Sequence, residues 1–400
     1  MVPKAEAAPS PALYSPRLRV LLLIPSLGFG GAEFQITYLA LGLARRGEQV
    51  TLAVMEPLVQ SPAPLTRAGV RVVALDAANR RAKAWAIRRV ARLARSADVV
   101  HCTRWDAGLW GRVAALTVGT PVTVGEHASE RFLQITKRGA PRARVIGWHH
   151  RLLAPFTAAT VACGRSQLDL LLSEGVPSEQ LAIVPNGIPL ETVRRSASAG
   201  TVTRAEIGVP DDARIVMQVG RLTAQKNQVA TLDAVAALRT ELGDVHAVFV
   251  GDGEDGSARE RAAAREIDWA HFLGARTDVP ALLALADLAV LPSLTEALPM
   301  AALEAIAVGV PQVVTDVGDL GELIRESGAG TVVPARDLPA FTAACRDLLA
   351  DPAAWRRQAD RARESAPRWD VAPMVESYAA LLAAAAAHEP LPAASSPWRS

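Results

Sequence analysis

The stretch Leu288-Ala289-Val290-Leu291-Pro292-Ser293-Leu294-Thr295-Glu296-Ala297-Leu298-Pro299-Met300-Ala301-Ala302-Leu303-Glu304-Ala305 decides the fold. A short apolar run ends at Leu291, a proline and polar residues interrupt it, and an apolar helical pattern covers 299–308. Strand, turn and helix in that order form the repeating unit of a parallel α/β sheet. The unit recurs in both directions. Upstream in the same half the strand candidates are Ile215–Val219, Ala247–Val250 and His271–Leu273, and downstream they are Gln312–Val314 and Thr331–Val333. Helical patterns at 226–242, 257–266, 279–286, 320–326 and 338–350 separate or follow them. The first half repeats the alternation. Its strand candidates are Val20–Ile24, Val50–Val54, Val70–Leu75, Val99–Cys102, Pro121–Val124, Thr160–Cys163 and Ala182–Val184, with helices such as 31–46 and 80–96 between them.

The alternation restarts near residue 213, after the polar, Ala/Ser/Gly-rich stretch from Arg194 to Val202. That restart predicts two Rossmann-like, doubly wound α/β domains facing each other across a cleft. Their expected extents are 17–190 and 191–369. A last helix, Val371 to Ala387 in a segment 370–388, is expected to return to the first domain, and residues 1–16 and 389–400 are expected to be disordered tails. The 400-residue length leaves room for two cores. Lys4, Arg17 and Arg19 before Val20–Ile24 mimic a signal peptide, but the run is short and Pro25 and Gly28 follow without a small-residue cleavage site, so a buried first strand is expected. No apolar run reaches about 18 residues, the length that crosses a bilayer. Cys102, Cys163 and Cys345 lie far apart, which excludes a disulfide framework or a zinc motif and fits a reducing cytoplasm.

In open parallel sheets ligands bind beyond the carboxyl ends of the strands, so the residues just after strands matter most. After the first strand, Gly28-Phe29-Gly30-Gly31-Ala32-Glu33 opens a helix, and glycines there let a backbone approach an anion. A tight turn explains them equally well, and the spacing is not the GxGxxG of nicotinamide sites. After Val216–Val219 come Gly220-Arg221-Leu222-Thr223-Ala224-Gln225-Lys226-Asn227, two cations able to hold a diphosphate. Glu296 and Glu304 stand in E-x7-E spacing, slightly over two helical turns, which would set both carboxylates along one side of a partly helical segment. Glu304 interrupts an apolar helix. A carboxylate there needs hydrogen-bond donors, and the vicinal hydroxyls of a ribose are suitable. A salt-bridged structural pair is the alternative.

With these motifs the chain resembles the retaining glycosyltransferases of the GT-B fold, family 4. The resemblance runs from the GGAE of Gly30–Glu33 to the last helix. Its parts come in the family's order: Pro185-Asn186-Gly187-Ile188, Val219-Gly220-Arg221-Leu222 with Lys226-Asn227, Val250-Gly251-Asp252-Gly253, Phe272-Leu273-Gly274, E-x7-E, and Gly309-Val310-Pro311. It implies a nucleoside-diphosphate sugar donor held mainly by the second domain and an acceptor held mainly by the first. Arg221 and Lys226 match the family's diphosphate pair, Glu304 the ribose ligand, and Glu296 the residue near the donor sugar's hydroxyls. Gly274 and Arg276 fall where the backbone recognises the base. His127 matches a histidine that reaches the sugar across the cleft. Gly30, Gly31 and Leu298 complete the implied donor site. Three positions depart from the pattern. Ala297 replaces a glycine after the first Glu, Asp319 replaces the second glycine of a usual pair after Val317, and Pro189 replaces an Asp after the PNGI.

The sequence contains no D-x-D, the usual metal clamp of the other main glycosyltransferase fold. No metal and no cofactor are therefore expected, and leaving-group stabilisation is assigned to Arg221, Lys226 and helix dipoles. The overall net charge of +2 hides an asymmetry: residues 79–151 carry 15 basic and 4 acidic side chains. Within 80–96, Trp85, Arg88 and Arg92 recur at helical spacing, with Arg89 and Arg95 beside them, and Lys137 and Arg138 belong to a second basic cluster. The expected partners are a glycan or lipid-linked acceptor and an anionic membrane face, with no nucleic-acid motif present. A solvated sheet-covering face is the alternative. Two other functions fit the same fold, a nucleotide-sugar epimerase that needs no acceptor and a non-catalytic membrane-binding protein.

Overall fold

The computed structural model describes residues 17–28, 30–59, 61–77, 80–126, 148, 150–253 and 256–392. The first sheet contains β1 (Arg19–Ile24), β2 (Gln49–Val54), β3 (Arg71–Ala74), β4 (Val99–Thr103), β5 (Val122–Glu126), β6 (Ala159–Ala162) and β7 (Leu181–Ile183). The second contains β8 (Arg214–Val219), β9 (Val245–Val250), β10 (Ala270–Phe272), β11 (Leu288–Leu291), β12 (Gln312–Thr315) and β13 (Gly330–Val333). Their orders are β3-β2-β1-β4-β5-β6-β7 and β10-β9-β8-β11-β12-β13, and every pairing is parallel. Each sheet thus reverses direction once, between β1 and β4 and between β8 and β11, and a crevice opens at the carboxyl ends of those strands. The basic-plus-apolar start of the chain is a sheet strand: Leu22, Leu23 and Ile24 of β1 are fully buried, and Leu22 and Leu23 pair with neighbours on both sides.

Helices cover both faces. The helix Val371–Ala387 returns to the first domain and lies on the helix Gly31–Arg45. Gly42 permits that approach, because a Cβ there would stand 2.3 Å from Cγ2 of Val375. Asp370 caps the returning helix, accepting from the Ala372 amide, and also accepts from the amide of Leu190. Ile188 exchanges backbone hydrogen bonds with Trp369 and Val371, so the two chain crossings between the domains are stitched together. Among the described residues no helix is long and apolar enough to cross a membrane.

Several local expectations are corrected. The stretch read as a polar break at 194–202 begins inside the helix Leu190–Ser198, whose Leu190 and Val193 are buried against the helix Met300–Val308. The helix expected from 226 starts at Gln228, because Asn227 takes a left-handed conformation at φ 53° and leaves Lys226 in a loop. Residues 389–392 are ordered enough in their packing for Leu391 to lie against the first core. The tails at 1–16 and 393–400 lie outside the described residues.

Candidate active site

The loops that follow β8 and β11 flank the reversal point of the second sheet. Lys226, from the first loop, places Nζ 2.6 Å from Oε1 of Glu296, from the second. Both side chains are largely buried, so a single ion pair joins the two walls of the crevice. The loops are fastened further by backbone bonding: Gln225 accepts from the Leu294 amide at 2.8 Å, and its side chain donates to the Thr295 carbonyl at 2.8 Å. Gln218, inside β8, donates to the Lys226 carbonyl at 2.6 Å and accepts from Thr231. The E-x7-E segment is partly helical. The helix begins at Met300, so Glu296 stands on the loop and only Glu304 on the helix.

Arg221 is exposed, and no described acidic side chain pairs with it. Its loop is pinned from behind, where Gln228 donates to its carbonyl and Gly251 packs so closely that a Cβ would stand 2.2 Å from the Gly220 oxygen. The Gly251 amide in turn donates to the Gly274 carbonyl at 2.8 Å, and Gly274, at φ 68°, faces open space. Arg276 is engaged by Asp278 through two hydrogen bonds, at 2.8 and 2.5 Å. Leu298 is buried, and its carbonyl accepts from Asn186 Nδ2 of the first domain at 2.7 Å.

Glu304 lies deep on its helix with only part of its surface open to solvent, and burial pushes its carboxyl up to about 7. No described residue donates a hydrogen bond to it. Burial raises the phenol of Tyr38 of the first domain, and the nearby Glu304 charge adds to that rise. The same first-domain helix runs along the start of the Glu304 helix: a Cβ on Gly31 would be 3.3 Å from Met300, and Gln35 Nε2 lies 2.6 Å from Met300 Sδ. Gln35 also exchanges two hydrogen bonds with Gly187. Two helix starts therefore meet across the cleft. Their cap residues, Gly30 and Pro299, make no side-chain cap bond, so first-turn amides remain for a ligand.

On the first-domain wall, Arg104 follows β4 with φ 75° and ψ 156°, a conformation that costs a non-glycine residue about 1–3 kcal/mol. Its guanidinium lies 3.1 Å from Glu33 of the GGAE motif, so a second ion pair spans the first sheet's reversal point. Sequence reasoning did not single out Arg104, Tyr38 or Gln35. The rule that residues just after strands matter could have flagged Arg104; nothing in the pattern marks the other two. His127, Lys137 and Arg138 lie outside the described residues.

The chain as a whole is similar to known proteins. Residues 29–192 match the family described as Glycosyltransferase Family 4, and residues 213–351 match Glycosyl transferases group 1. The chain belongs to the family 4 glycosyltransferases. Alpha-maltose-1-phosphate synthase of Mycolicibacterium smegmatis is 31% identical over 293 residues, 68% of this chain and 73% of that one. The UDP-Gal:alpha-D-GlcNAc-diphosphoundecaprenol alpha-1,3-galactosyltransferase of Escherichia coli is 28% identical over 259 residues, 61% of this chain and 64% of that protein's length. The crystal structure of Anabaena HepE in complex with UDP-glucose superposes with a TM-score of 0.78 at 20% identity, covering 92% of this chain and all of that one. That likeness establishes the GT-B fold for this family 4 member.

Proposed function

We propose that this chain is a retaining glycosyltransferase that moves a sugar from a nucleoside-diphosphate donor to a hydroxyl of a lipid-linked or polysaccharide-precursor glycan, without a metal or other cofactor. The observation that carries this reading is the Lys226–Glu296 pair joining the two loops at the second sheet's reversal point, with Arg221 open beside it. The donor diphosphate would lie against Arg221, Lys226 and the uncapped amides, with its ribose on Glu304 and its base by the Gly274 backbone. Glu296, released in part from Lys226, would accept from hydroxyls of the sugar. As the glycosidic C–O bond breaks, negative charge develops on the diphosphate, where fixed cations and helix starts stabilise it. The acceptor hydroxyl attacks the same face that the diphosphate leaves and gives its proton to the departing phosphate oxygen. The E. coli relative's name supports the lipid-linked acceptor, and UDP-glucose in HepE supports a uridine donor.

The test is to incubate the full chain with UDP-, GDP- and ADP-linked hexoses in excess chelator, with and without an undecaprenyl-diphosphate sugar. We expect acceptor-dependent release of nucleoside diphosphate that chelation leaves unchanged. An absolute requirement for added magnesium or manganese would contradict the metal-free step. Donor conversion without acceptor would favour an epimerase.

We place the first domain on the inner membrane face through the helix Arg80–Arg95. Its apolar stripe, Ala86, Val90 and Ala94, is buried against its own sheet and cannot insert into lipid. The outer face offers Trp85, 71% exposed, with the Arg88 guanidinium 5.3 Å from its ring centroid, and exposed Arg92 and Arg95. Arg89 is partly spent on the Ala74 and Leu75 carbonyls. Each free cation near an anionic surface contributes about 1 kcal/mol, and salt screens it. Changing Arg88, Arg92 and Arg95 to Gln should release the chain from anionic liposomes and leave turnover on a soluble acceptor intact. Equal wild-type binding to neutral and anionic liposomes at low salt would refute the membrane role.

A further inference from the structure

Asp319, which stands where the family pattern has a glycine, is 2% exposed and lies between the domains. It precedes the helix Leu320–Ser327, a position from which an aspartate ordinarily caps its own helix, but it makes no such bond. Its carboxylate crosses to the first domain instead. Oδ1 accepts from the Ser166 amide at 3.0 Å, and Oδ2 accepts from Ser166 Oγ at 2.6 Å. Ser166 lies in the first turn of the helix Arg165–Ser173, whose cap residue, Gly164, has no side chain to offer. That glycine leaves room for the intruding carboxylate, since a Cβ at 164 would stand 2.0 Å from Asp319 Oδ2. One domain therefore supplies the helix cap that the other lacks, and the helix dipole favours the negative charge.

The other side of Asp319 is fixed to the donor loop. Its amide donates to the Ala297 carbonyl at 3.2 Å, and Gly318, at φ 55°, approaches so closely that a Cβ would stand 1.9 Å from the Glu296 oxygen. The loop carrying Glu296 and the carboxylate that grips the first domain thus form one packed unit. The neighbouring Arg165–Glu322 pair, at 3.0 Å, crosses the same seam in a more exposed position.

We propose that Asp319 is a positioning residue: by capping the helix Arg165–Ser173 it holds the first domain over the donor loop, and so sets turnover and not nucleotide affinity. The proposal rests on the second domain being the nucleotide-sugar site. Side-chain removal deletes two hydrogen bonds to a buried anion, enough to shift the closed-to-open equilibrium by about tenfold to a hundredfold.

The experiment compares the full-length wild type with Asp319→Ala and Asp319→Asn by small-angle X-ray scattering, hydrogen exchange of the 164–173 segment, UDP titration and steady-state turnover. Asparagine keeps an acceptor for the amide and can donate to the Ser166 hydroxyl. For Asp319→Ala we expect a larger radius of gyration, faster exchange at Ser166, a kcat lower by about tenfold or more, and UDP affinity close to that of the wild type. Asp319→Asn should restore all four. Unchanged scattering and exchange in the alanine variant would overturn the proposal, as would a kcat loss matched by an equal loss of UDP affinity. Should Asp319→Ala fail to fold, Ser166→Ala deletes only the hydroxyl donor and should move the same observables less far; no movement there also overturns it. A wild type that neither binds UDP nor turns over a nucleotide sugar would count against the functional reading, whereas scattering and exchange judge the domain contact independently of activity.

Discussion

Arg221→Ala is expected to lower turnover by about 10²–10³, the usual loss when a preorganised stabiliser of developing charge is removed. Because Arg221 is exposed and has no described acidic partner, its loss should leave folding stability within about 0.5 kcal/mol. A large kinetic effect with an unchanged melting curve separates a role in charge stabilisation from a structural one. Lys226→Ala should give a fall of the same order but with a stability cost, since it strands the buried Glu296 carboxylate without its cation. Adding Glu296→Gln to Lys226→Ala should recover stability and not activity. Near-full turnover in both single variants, measured at saturating donor, would remove the diphosphate clamp.

Glu304→Gln is expected to raise the donor KM by about tenfold to a hundredfold, the loss of hydrogen bonds from a ribose diol to a charged acceptor. The same residue predicts a pH dependence. Burial raises its carboxyl to about 7 in the unliganded protein, so the acceptor form is populated as pH rises through that value. Donor affinity should therefore increase between about pH 6 and pH 8, and Glu304→Gln should flatten that part of the profile. Stability carries the opposite sign. The folded pKa lies above the unfolded one, so this group's contribution is complete below the unfolded value and is lost as pH rises through about 7. Bound nucleotide should offset that loss. A donor KM that is independent of pH from 6 to 8 in the wild type would show that Glu304 does not face the ribose.

The fold was legible because the central strands are buried on both faces and read as apolar runs. Leu288–Leu291 and Val245–Val250 are covered throughout, and no polar alternation blurs their ends. Helices were harder where glycine serves packing. Gly111, in the helix Trp105–Leu116, allows an approach in which a Cβ would stand 2.2 Å from Cys102 Sγ, a reason invisible in the local pattern. In the site, Arg221, Lys226 and Glu296 were legible because each lies in a loop that follows a strand of its own domain, and Glu304 because a carboxylate interrupts an apolar helix. The Lys226–Glu296 contact itself was not, since it depends on strand order and not on spacing. Tyr38, Gln35 and the grip of Asp319 on Ser166 depend on how two separately folded units meet, and no periodicity within either unit encodes that meeting. Arg104 could be flagged from its place just after a strand, but its backbone, at φ 75°, is a tertiary outcome.

On the proposed function, the second domain's crevice binds a nucleoside diphosphate through cations of the chain itself. Isothermal titration of UDP, GDP, ADP and TDP into the full chain in excess chelator tests it most directly. One of the four is expected to bind with one-to-one stoichiometry, with an affinity that falls at least about tenfold in Arg221→Ala. If none binds at millimolar concentration, or if the best binds equally well to Arg221→Ala, these cations do not hold a nucleoside diphosphate.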